Sequence, residues 1–419
     1  MPRVFLHNLT HQYNSYRPDL FYFDENAIFF AEAGDIVISR RKISEEYLVF
    51  LGRIGCLSSK ITFIIPLKKQ DNTPTSIFQD DTLINDIKRK TTEGKKERWF
   101  LDSFVLTEHE AVWAEKIGIA YEGDHYDYYS LGSKSNFRSL AKQHRFLVPR
   151  GFEYRKDNIG IALAVTALFL RGSFEIVIKE DEGVAGLGSR RFTKSTFLSD
   201  PRGFLSLFST GNLQRKITPV RSSDFVVEEW IQNVNISPSI QLYIDPQGLV
   251  RVLSLHSQLF YNNKMTYRGC ASSHWLPELV KETLVTTGVR FAKILSKKGY
   301  RGHLSFNTIV AKDGTHLFTE INPRRVMSSY PFQVVQRLIP KYSSQRWYIS
   351  FCVQKNMWKG KDIMYILEQF SSYLFSPKHQ KGIIPYNYGL LYSKGQLSVL
   401  CIGVSVKEVN NFLSYAISL

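Results

Sequence analysis

Two strand-like runs flank the dipeptide Asp313-Gly314 and place oxygen-bearing side chains on one face. Asp-Gly favours a two-residue hairpin turn, and counting outward from such a turn sets Asn307 opposite Glu320. Asn322 lies two residues beyond Glu320, so its side chain projects from the same face. Carboxylate and amide oxygens suit Mg²⁺, which usually shares its shell with water and nucleotide phosphates. The hairpin therefore predicts a Mg²⁺ site, with an ordinary polar surface hairpin as the alternative.

A lysine at the end of a strand-like run precedes a glycine-rich loop earlier in the chain. Lys179 is followed by Gly183, Gly186 and Gly188. An ammonium group supplies positive charge, and glycines let backbone N–H groups approach phosphate oxygens. The spacing matches neither the Walker A nor the Rossmann pattern, so a plain turn is the alternative. The acidic run 180–182 is expected to face solvent, because inward-pointing carboxylates would repel phosphate.

These segments resemble motifs of the ATP-grasp superfamily, in the order and approximate spacing of that family. The matching pieces are EINPR at 320–324, GSK at 132–134, the strand and glycine loop at 174–188, and VVEEWI at 226–231. One such motif alone is weak evidence for the family, whereas four motifs in order between residues 132 and 324 are specific to it. The resemblance implies an α/β protein with the α+β ATP-grasp fold, and ATP and Mg²⁺ as cofactors.

The resemblance also assigns roles to individual residues. Lys134 would contact the α-phosphate region of ATP, and Glu228 would lie near the adenine amino group. Backbone groups of Glu229 and Ile231 would read the Watson–Crick edge of the base. Arg324 would hold the transferring phosphoryl group, because a guanidinium stabilises the charge that develops there.

Two further positions bear on whether and how such a site works. Asn307 stands where relatives usually carry Asp or Glu, and an amide oxygen brings no negative charge to a metal. A nucleotide-binding but weakly catalytic or non-catalytic relative is therefore an alternative. Arg268 is a candidate to bind a substrate carboxylate through two hydrogen bonds, against a structural ion pair. His256 is expected to be a satisfied core histidine, and Cys270 a packed thiol.

Three units are predicted along the chain. Residues 1–120 alternate strand-like runs, including 27–30, with helix-like runs, which indicates a parallel sheet. The phrase AEAGDIVIS there resembles the preATP-grasp domain, which is expected to be structural or to shape the substrate pocket. Residues 121–375 form the two-lobed core, with a nucleotide lobe at about 130–225 and a metal and substrate lobe at about 226–375. Residues 376–419 form a small C-terminal α/β cap.

Composition indicates a folded protein: 43% of the 419 residues are hydrophobic and 14% are aromatic. The formal charge of +16 is spread along the chain, so nucleic-acid binding is a minor alternative. Four scattered cysteines fit reduced thiols rather than a disulfide scaffold. The first residues, MPRVFLHNLTHQY, lack the apolar core that is typical of a signal peptide, and the longest apolar run, 161–170, is too short to span a bilayer. These features predict a soluble, cytoplasmic protein.

The predicted activity is ATP-dependent ligation of a carboxylate to an amine, and within the superfamily the chain looks most like pheganomycin-type peptide ligases. The donor carboxylate would form an acyl phosphate with release of ADP, and the amine would then displace phosphate. The expected partners are a small carboxylate donor and an amino-acid or peptide amine acceptor, with neither nucleic acid nor membrane; a homodimer is left open. An ATP-grasp kinase acting on a hydroxyl is a further alternative.

Overall fold

The computed structural model describes residues 1–7, 24–66, 77–92, 98–123, 131–155, 158–181, 189–206, 224–260, 265–341 and 345–419. These residues contain three β-sheets, of four, four and eight strands. Among the helices in these ranges, none is both long enough and apolar enough to cross a bilayer. The mixture of helices and sheets confirms the predicted α/β class.

The first sheet is parallel throughout, as the alternating pattern of residues 1–120 predicts. Its strand order is β3-β2-β1-β4. In chain order the elements of this unit are β1 (Arg3–Leu6), β2 (Ile36–Ile38), α1 (Glu45–Arg53), β3 (Thr62–Ile64), α2 (Asp81–Thr92), β4 (Phe100–Ser103) and α3 (Glu108–Ile117). The Ser44 side chain caps α1, and Gly118 ends α3 in the left-handed conformation.

One predicted strand in this unit is wrong. Residues 27–30 lie in and just after a 3₁₀ helix, Asp24–Phe29, all of whose residues are buried. A short apolar run has the same composition whether it is a buried strand or a buried helical turn, so periodicity cannot separate the two.

The second sheet is antiparallel, with the order β5-β8-β6-β7. Helix α5 covers one face of it, packing Ile161, Val165 and Leu168 against Ile176 and Val227. The elements of this lobe are α4 (Lys134–Gln143), β5 (Gly151–Arg155), α5 (Asn158–Leu170), β6 (Glu175–Glu180), β7 (Ser189–Thr193), α6 (Lys194–Ser199), α7 (Pro201–Ser206) and β8 (Phe225–Glu229).

The third sheet is the largest, with the order β13-β12-β9-β10-β11-β14-β16-β15. Its elements are β9 (Pro238–Ile244), β10 (Val250–Phe260), β11 (Tyr267–Ser272), α8 (Glu278–Lys297), β12 (Gly302–Val310), β13 (His316–Asn322), α9 (Ser329–Leu338), β14 (Trp347–Gln354), α10 (Ile363–Gln369), β15 (Gly382–Tyr386), α11 (Leu391–Lys394), β16 (Gln396–Gly403) and α12 (Val406–Ser418). Helix α8 packs on one face, where Phe291 stacks on Phe306. The neighbouring Asn307 therefore points to the opposite face.

The largest hydrophobic core joins the first unit to the far end of the chain. Phe29 and Tyr47 of the first unit lie in one cluster with Val334, Ile384 and Leu400. Strands β15 and β16, from the segment predicted to be a cap, extend the eight-stranded sheet through β14. The predicted boundaries near 120 and 375 stay predictions, and the packing shows that the segments on either side of them are in close contact.

Candidate active site

The hairpin β12–β13 places Asn307 directly opposite Glu320 and Ser305 opposite Asn322, which confirms the predicted pairing. The predicted two-residue turn is wrong. Ala311 donates its N–H to the Thr315 carbonyl at 3.0 Å, and its own carbonyl accepts from the Gly314 N–H at 3.0 Å. The loop therefore has three residues, with Gly314 at a φ of 84°.

The pairing is correct despite the longer loop because a β-bulge compensates for it. Asn307 faces Glu320, but the next residue, Thr308, faces Phe318. Thr319 is thus an extra residue in β13, and its hydroxyl donates to the Asn307 carbonyl at 3.1 Å. Relative to a two-residue turn, the longer loop shifts the strand register by one residue, and the bulge shifts it back by one residue.

The polar side chains of the hairpin bind one another. Asn307 donates from Nδ2 to Glu320 Oε1 at 2.5 Å, and Asn322 donates from Nδ2 to the same oxygen at 3.5 Å. Arg324 donates from Nη2 to Asn322 Oδ1 at 2.9 Å. All four predicted hairpin residues are therefore brought together by direct contacts.

This donor set fits a divalent cation held jointly with phosphates. The site offers one carboxylate, Glu320, and two amides, Asn307 and Asn322. Turning an amide by half a rotation exchanges its oxygen and nitrogen, so the same positions can present three oxygen ligands. In the described part of the chain no group of three or more acidic, histidine or cysteine side chains could hold a metal. A cation bound here would need further negative charge from a ligand.

Lys134 is the first residue of α4, and the N-terminus of this helix is bound to the end of β6. The Asp181 carboxylate accepts from the Ser133 hydroxyl at 2.5 Å and from the Ser135 N–H at 2.6 Å. Asp181 is buried, as is Glu180, so the expectation that both face solvent is wrong. The first N–H groups of a helix lack intrahelical partners and carry partial positive charge, which favours a buried carboxylate there.

The Lys134 ammonium interacts electrostatically with charged groups from both lobes. Burial lowers the pKa of Lys134, and the nearby ammonium of Lys179 lowers it further. Three carboxylates act on the Lys134 pKa in the opposite direction: Glu320, Asp181 and Glu228. The fold therefore brings both predicted phosphate-binding lysines near the carboxylate that is predicted to bind the metal.

Glu228 lies on β8 between two cations. Its carboxylate forms ion pairs with Lys179 and with Arg138, the latter at 2.5 Å. Arg138 is 1% exposed and also donates to Glu153 at 2.8 Å. Sequence reasoning missed Arg138, although it lies four residues after Lys134 and therefore on the same face of α4.

The other predicted nucleotide-binding residues are less directly engaged. Glu229 pairs through its side chain with Arg150, and its N–H donates to the Arg150 carbonyl at 2.8 Å. Ile231 lies two residues after the end of β8, on the segment that leads into β9 and thus joins the two lobes. Gly183, Gly186 and Gly188 lie outside the described residues. Their predicted contacts with ATP stay predictions.

Arg268 lies apart from the hairpin. It donates from Nη1 to the Cys352 carbonyl at 2.7 Å and lies over the Phe351 ring, both on β14. Strands β9 and β10 separate β11 from β12, so the two strands are about 14 Å apart at the usual spacing. Its predicted contact with a substrate carboxylate stays a prediction.

The two other side chains of this region match their expected structural roles. His256 is buried and hydrogen-bonded to Tyr348 at 2.6 Å, and burial lowers its pKa to about 3. The Cys270 thiol is also buried, which raises its pKa to about 12.

A cleft runs between β4 of the first unit and the end of the β12–β13 hairpin, and Arg324 lies on its wall. The charged residues that line it are four arginines and two acids: Arg3, Arg301, Arg324, Arg325, Asp102 and Glu122. Burial lowers the pKa of His303, which also lines the cleft, well below its usual value, so this imidazole is neutral at pH 7. The excess of arginines favours an anionic ligand.

The chain is similar to known proteins both in sequence and in fold. No family model matches the chain. The L-propargylglycine–L-glutamate ligase of Streptantibioticus cattleyicolor is 32% identical over 117 residues, which are 27% of this chain and 23% of that protein. The chain thus matches about a quarter of the length of this curated relative.

Solved structures of similar fold cover nearly the whole chain. A biotin carboxylase from Campylobacter jejuni has a TM-score of 0.60 at 12% identity, over 97% of this chain and 88% of that one. The N5-carboxyaminoimidazole synthetase from Staphylococcus aureus has a TM-score of 0.58 at 12% identity, over 100% and 97%. These enzymes share the ATP-grasp architecture. The chain therefore has the same fold as these enzymes.

Proposed function

We propose that the protein is an ATP-dependent ligase that joins a carboxylate to the amine of an amino acid or peptide. The observation that carries this proposal is the meeting of Lys134 and Lys179 with the Glu320 hairpin. Two cations from one lobe and the oxygen ligands of the hairpin from the other then approach one another, which suits a nucleoside triphosphate. The name of the ligase relative, which joins two amino acids, supports substrates of that class.

Each residue has a defined task in this proposal. Lys134 and Lys179 neutralise the phosphates, and Glu228 turns from Lys179 towards the adenine amino group when nucleotide enters. The backbone of Glu229 and Ile231 lies along the base. Arg324 stabilises the phosphoryl group as it passes to the donor carboxylate.

Glu320, Asn322 and Asn307 would hold Mg²⁺, which supplies charge that neutralises the phosphates as the γ-phosphoryl group leaves. Similar folds have been solved with ADP, and one of them with Mg-ADP and bicarbonate. Because only Glu320 among these three ligands is charged, the protein alone should hold the cation weakly and nucleotide should strengthen its binding.

The donor acid binds in the arginine-lined cleft, with its carboxylate towards Arg324. A carboxylate oxygen attacks the γ-phosphorus, the bond from that phosphorus to the bridging oxygen breaks, and ADP leaves. The acceptor amine then attacks the acyl carbon, phosphate departs, and the amine nitrogen loses a proton. Exclusion of water matters because hydrolysis would destroy the acyl phosphate.

The test is release of ADP from Mg-ATP in the presence of pooled amino acids and short peptides. We expect release that depends on the amine, is lost in Glu320→Ala and is kept in Glu278→Ala, a change at an exposed position on α8. Mass spectrometry of the product then identifies both substrates.

Other outcomes would contradict the proposal in different ways. ADP release that needs a hydroxyl compound and no amine would indicate a kinase. Nucleotide binding without turnover for any substrate would favour a non-catalytic relative. If Mg-ATP did not bind, the role given to Lys134 and Lys179 would be wrong.

A further inference from the structure

Arg325, the residue after Arg324, is held by the first unit of the chain. It donates to the Asp102 carboxylate from Nε at 3.0 Å and from Nη2 at 2.7 Å. Both side chains are buried, with 8% and 4% of their surface exposed. Such a two-point pair fixes direction as well as distance, because the guanidinium and the carboxylate are both planar.

Phe104, the residue that follows β4, makes two further contacts with Arg324 and Arg325. The Phe104 carbonyl accepts from the Arg325 N–H at 3.2 Å, and the Phe104 ring lies 5.3 Å from the Arg324 guanidinium carbon. The Phe104 ring is itself stacked on the ring of Tyr330 in α9, with the ring centroids 6.1 Å apart and an angle of 11° between the ring planes. The backbone and the two side chains of Arg324–Arg325 are thus held by the segment 102–104.

The Asp102 carboxylate has its own support. Arg3 donates to it at 2.6 Å, and the buried His7 lies 3.3 Å from it through Nε2. Burial lowers the pKa of His7, so the neutral ring donates from Nε2 and accepts the Tyr330 hydroxyl proton at Nδ1, 2.9 Å away. Burial alone would raise the pKa of Asp102, but Arg325 and His7 offset this effect and hold it well below its usual value.

We propose that Asp102 is a positioning residue for Arg324 and acts through Arg325. The proposal rests on the phosphoryl-stabilising role given to Arg324 above. An arginine side chain has many rotamers, and its value at a reaction centre depends on a fixed approach. Asp102 anchors Arg325, so the backbone after β13 follows one path, and from this path the Arg324 side chain reaches Asn322. The first unit of the chain thereby takes part in the reaction without touching the nucleotide.

The test compares Asp102→Asn with Asp24→Asn. The buried Asp24 forms a similar two-point pair with the half-buried Arg40, at 2.9 and 3.0 Å in the same unit, so its replacement also removes a buried carboxylate from an ion pair. We expect Asp102→Asn to lower kcat about 10²-fold, since misplacing a catalytic group by about 1 Å has such an effect. Calorimetric titration with Mg-ADP should give a Kd within about twofold of wild type, because Lys134 and Lys179 are untouched. Asp24→Asn should leave kcat unchanged.

Two further measurements separate positioning from general damage. In the double variant Asp102→Asn/Arg324→Ala, turnover should be no lower than in Arg324→Ala alone, because both changes remove the same contribution, that of a correctly placed Arg324. Hydrogen exchange of the segment 323–328, which includes the Arg325 N–H, should be faster in Asp102→Asn and unchanged in Asp24→Asn.

The outcomes distinguish this inference from the proposed function. If wild type turns over no substrate, the proposed function fails, and the exchange experiment still decides whether Asp102 fixes the segment. Unchanged exchange in Asp102→Asn overturns the inference. Faster exchange with normal kcat overturns it as well, as does an equal loss of kcat in Asp102→Asn and Asp24→Asn.

Discussion

Replacing Asn307 with aspartate would set a second carboxylate against Glu320. In the native hairpin the Asn307 amide nitrogen donates to Glu320 Oε1 at 2.5 Å, so the pair is an amide donor and a charged acceptor. Asn307→Asp removes the donor and adds a negative charge at the same point. We expect the variant to be less stable than wild type at pH 7 in the absence of metal, and to regain stability when Mg²⁺ is added.

The size of the effect follows from the geometry. Two unit charges about 4 Å apart repel by about 4 kcal/mol at the effective dielectric constant of a half-buried site. Protonating an ordinary carboxyl group at pH 7 also costs about 4 kcal/mol, which caps the penalty. The Lys134 ammonium attracts both carboxylates and reduces the repulsion. A loss of about 2–4 kcal/mol in the free energy of unfolding is therefore expected.

Urea denaturation over a range of pH, with and without excess Mg²⁺, measures this effect. Repulsion raises the folded-state pKa of one of the two carboxyl groups, so the penalty is absent at low pH and grows as pH rises through about 4 towards 7. The double variant Asn307→Asp/Glu320→Gln restores one donor and one acceptor with the original charge. It should match wild type at every pH, and its response to Mg²⁺ should be no larger than that of wild type.

The reasoning would be refuted by an Asn307→Asp protein as stable as wild type at pH 7 without metal. It would equally be refuted by a loss of stability that Mg²⁺ does not reverse, because the two carboxylates would then not share a metal site. Asn307→Ala, which removes the amide without adding charge, gives the cost of the lost hydrogen bond alone.

Three further changes test other parts of the structure. Arg138→Met removes one ion-pair partner of the buried Glu228 carboxylate and should lower the free energy of unfolding, measured by urea denaturation, by about 3–5 kcal/mol. Arg150→Met breaks a more exposed pair and should lower it by less than about 1 kcal/mol. Glu25→Gln should become more stable than wild type as pH rises from about 4.5 to 8, and the difference in the free energy of unfolding should reach about 3–5 kcal/mol. Burial and Asp24 raise the folded-state pKa of Glu25 to about 8, so ionisation of this carboxyl group opposes folding of the wild type. Equal pH profiles of stability for the two proteins would contradict this. Gly314→Ala should cost about 1–2 kcal/mol, since the residue has a φ of 84°, and a stabilising effect would contradict the three-residue loop.

The sequence predicts which residues of the β12–β13 hairpin face one another more reliably than it predicts the backbone geometry of the hairpin. Asn307 and Glu320 face one another as expected, but through a three-residue loop and a bulge at Thr319. Asp-Gly is compatible with both two- and three-residue loops, and nothing in the residue types of β13 marks the bulge. The correct pairing thus came from two local offsets that cancel.

Long-range contacts account for the residues that sequence reasoning missed or misplaced. Asp181 follows two other polar positions in a run that looks solvated, yet it is buried because the N-terminus of α4 needs an acceptor. Asp102 and Arg325 are 223 residues apart, and each on its own reads as a surface charge. A single sequence shows which charges exist but not which of them meet in the fold.

The core shared by the two ends of the chain has a consequence for how the protein is made. Its buried members come from residues 5–105 and 271–416. At about 5–20 residues per second, the ribosome needs roughly 15–60 s to pass from Cys56 to Val334. During that interval the apolar faces of Phe29, Val37 and Tyr47 lack the partners they later pack against. The nascent chain should therefore depend on holding chaperones for most of its synthesis, and the first unit should complete its fold only when the last strands emerge.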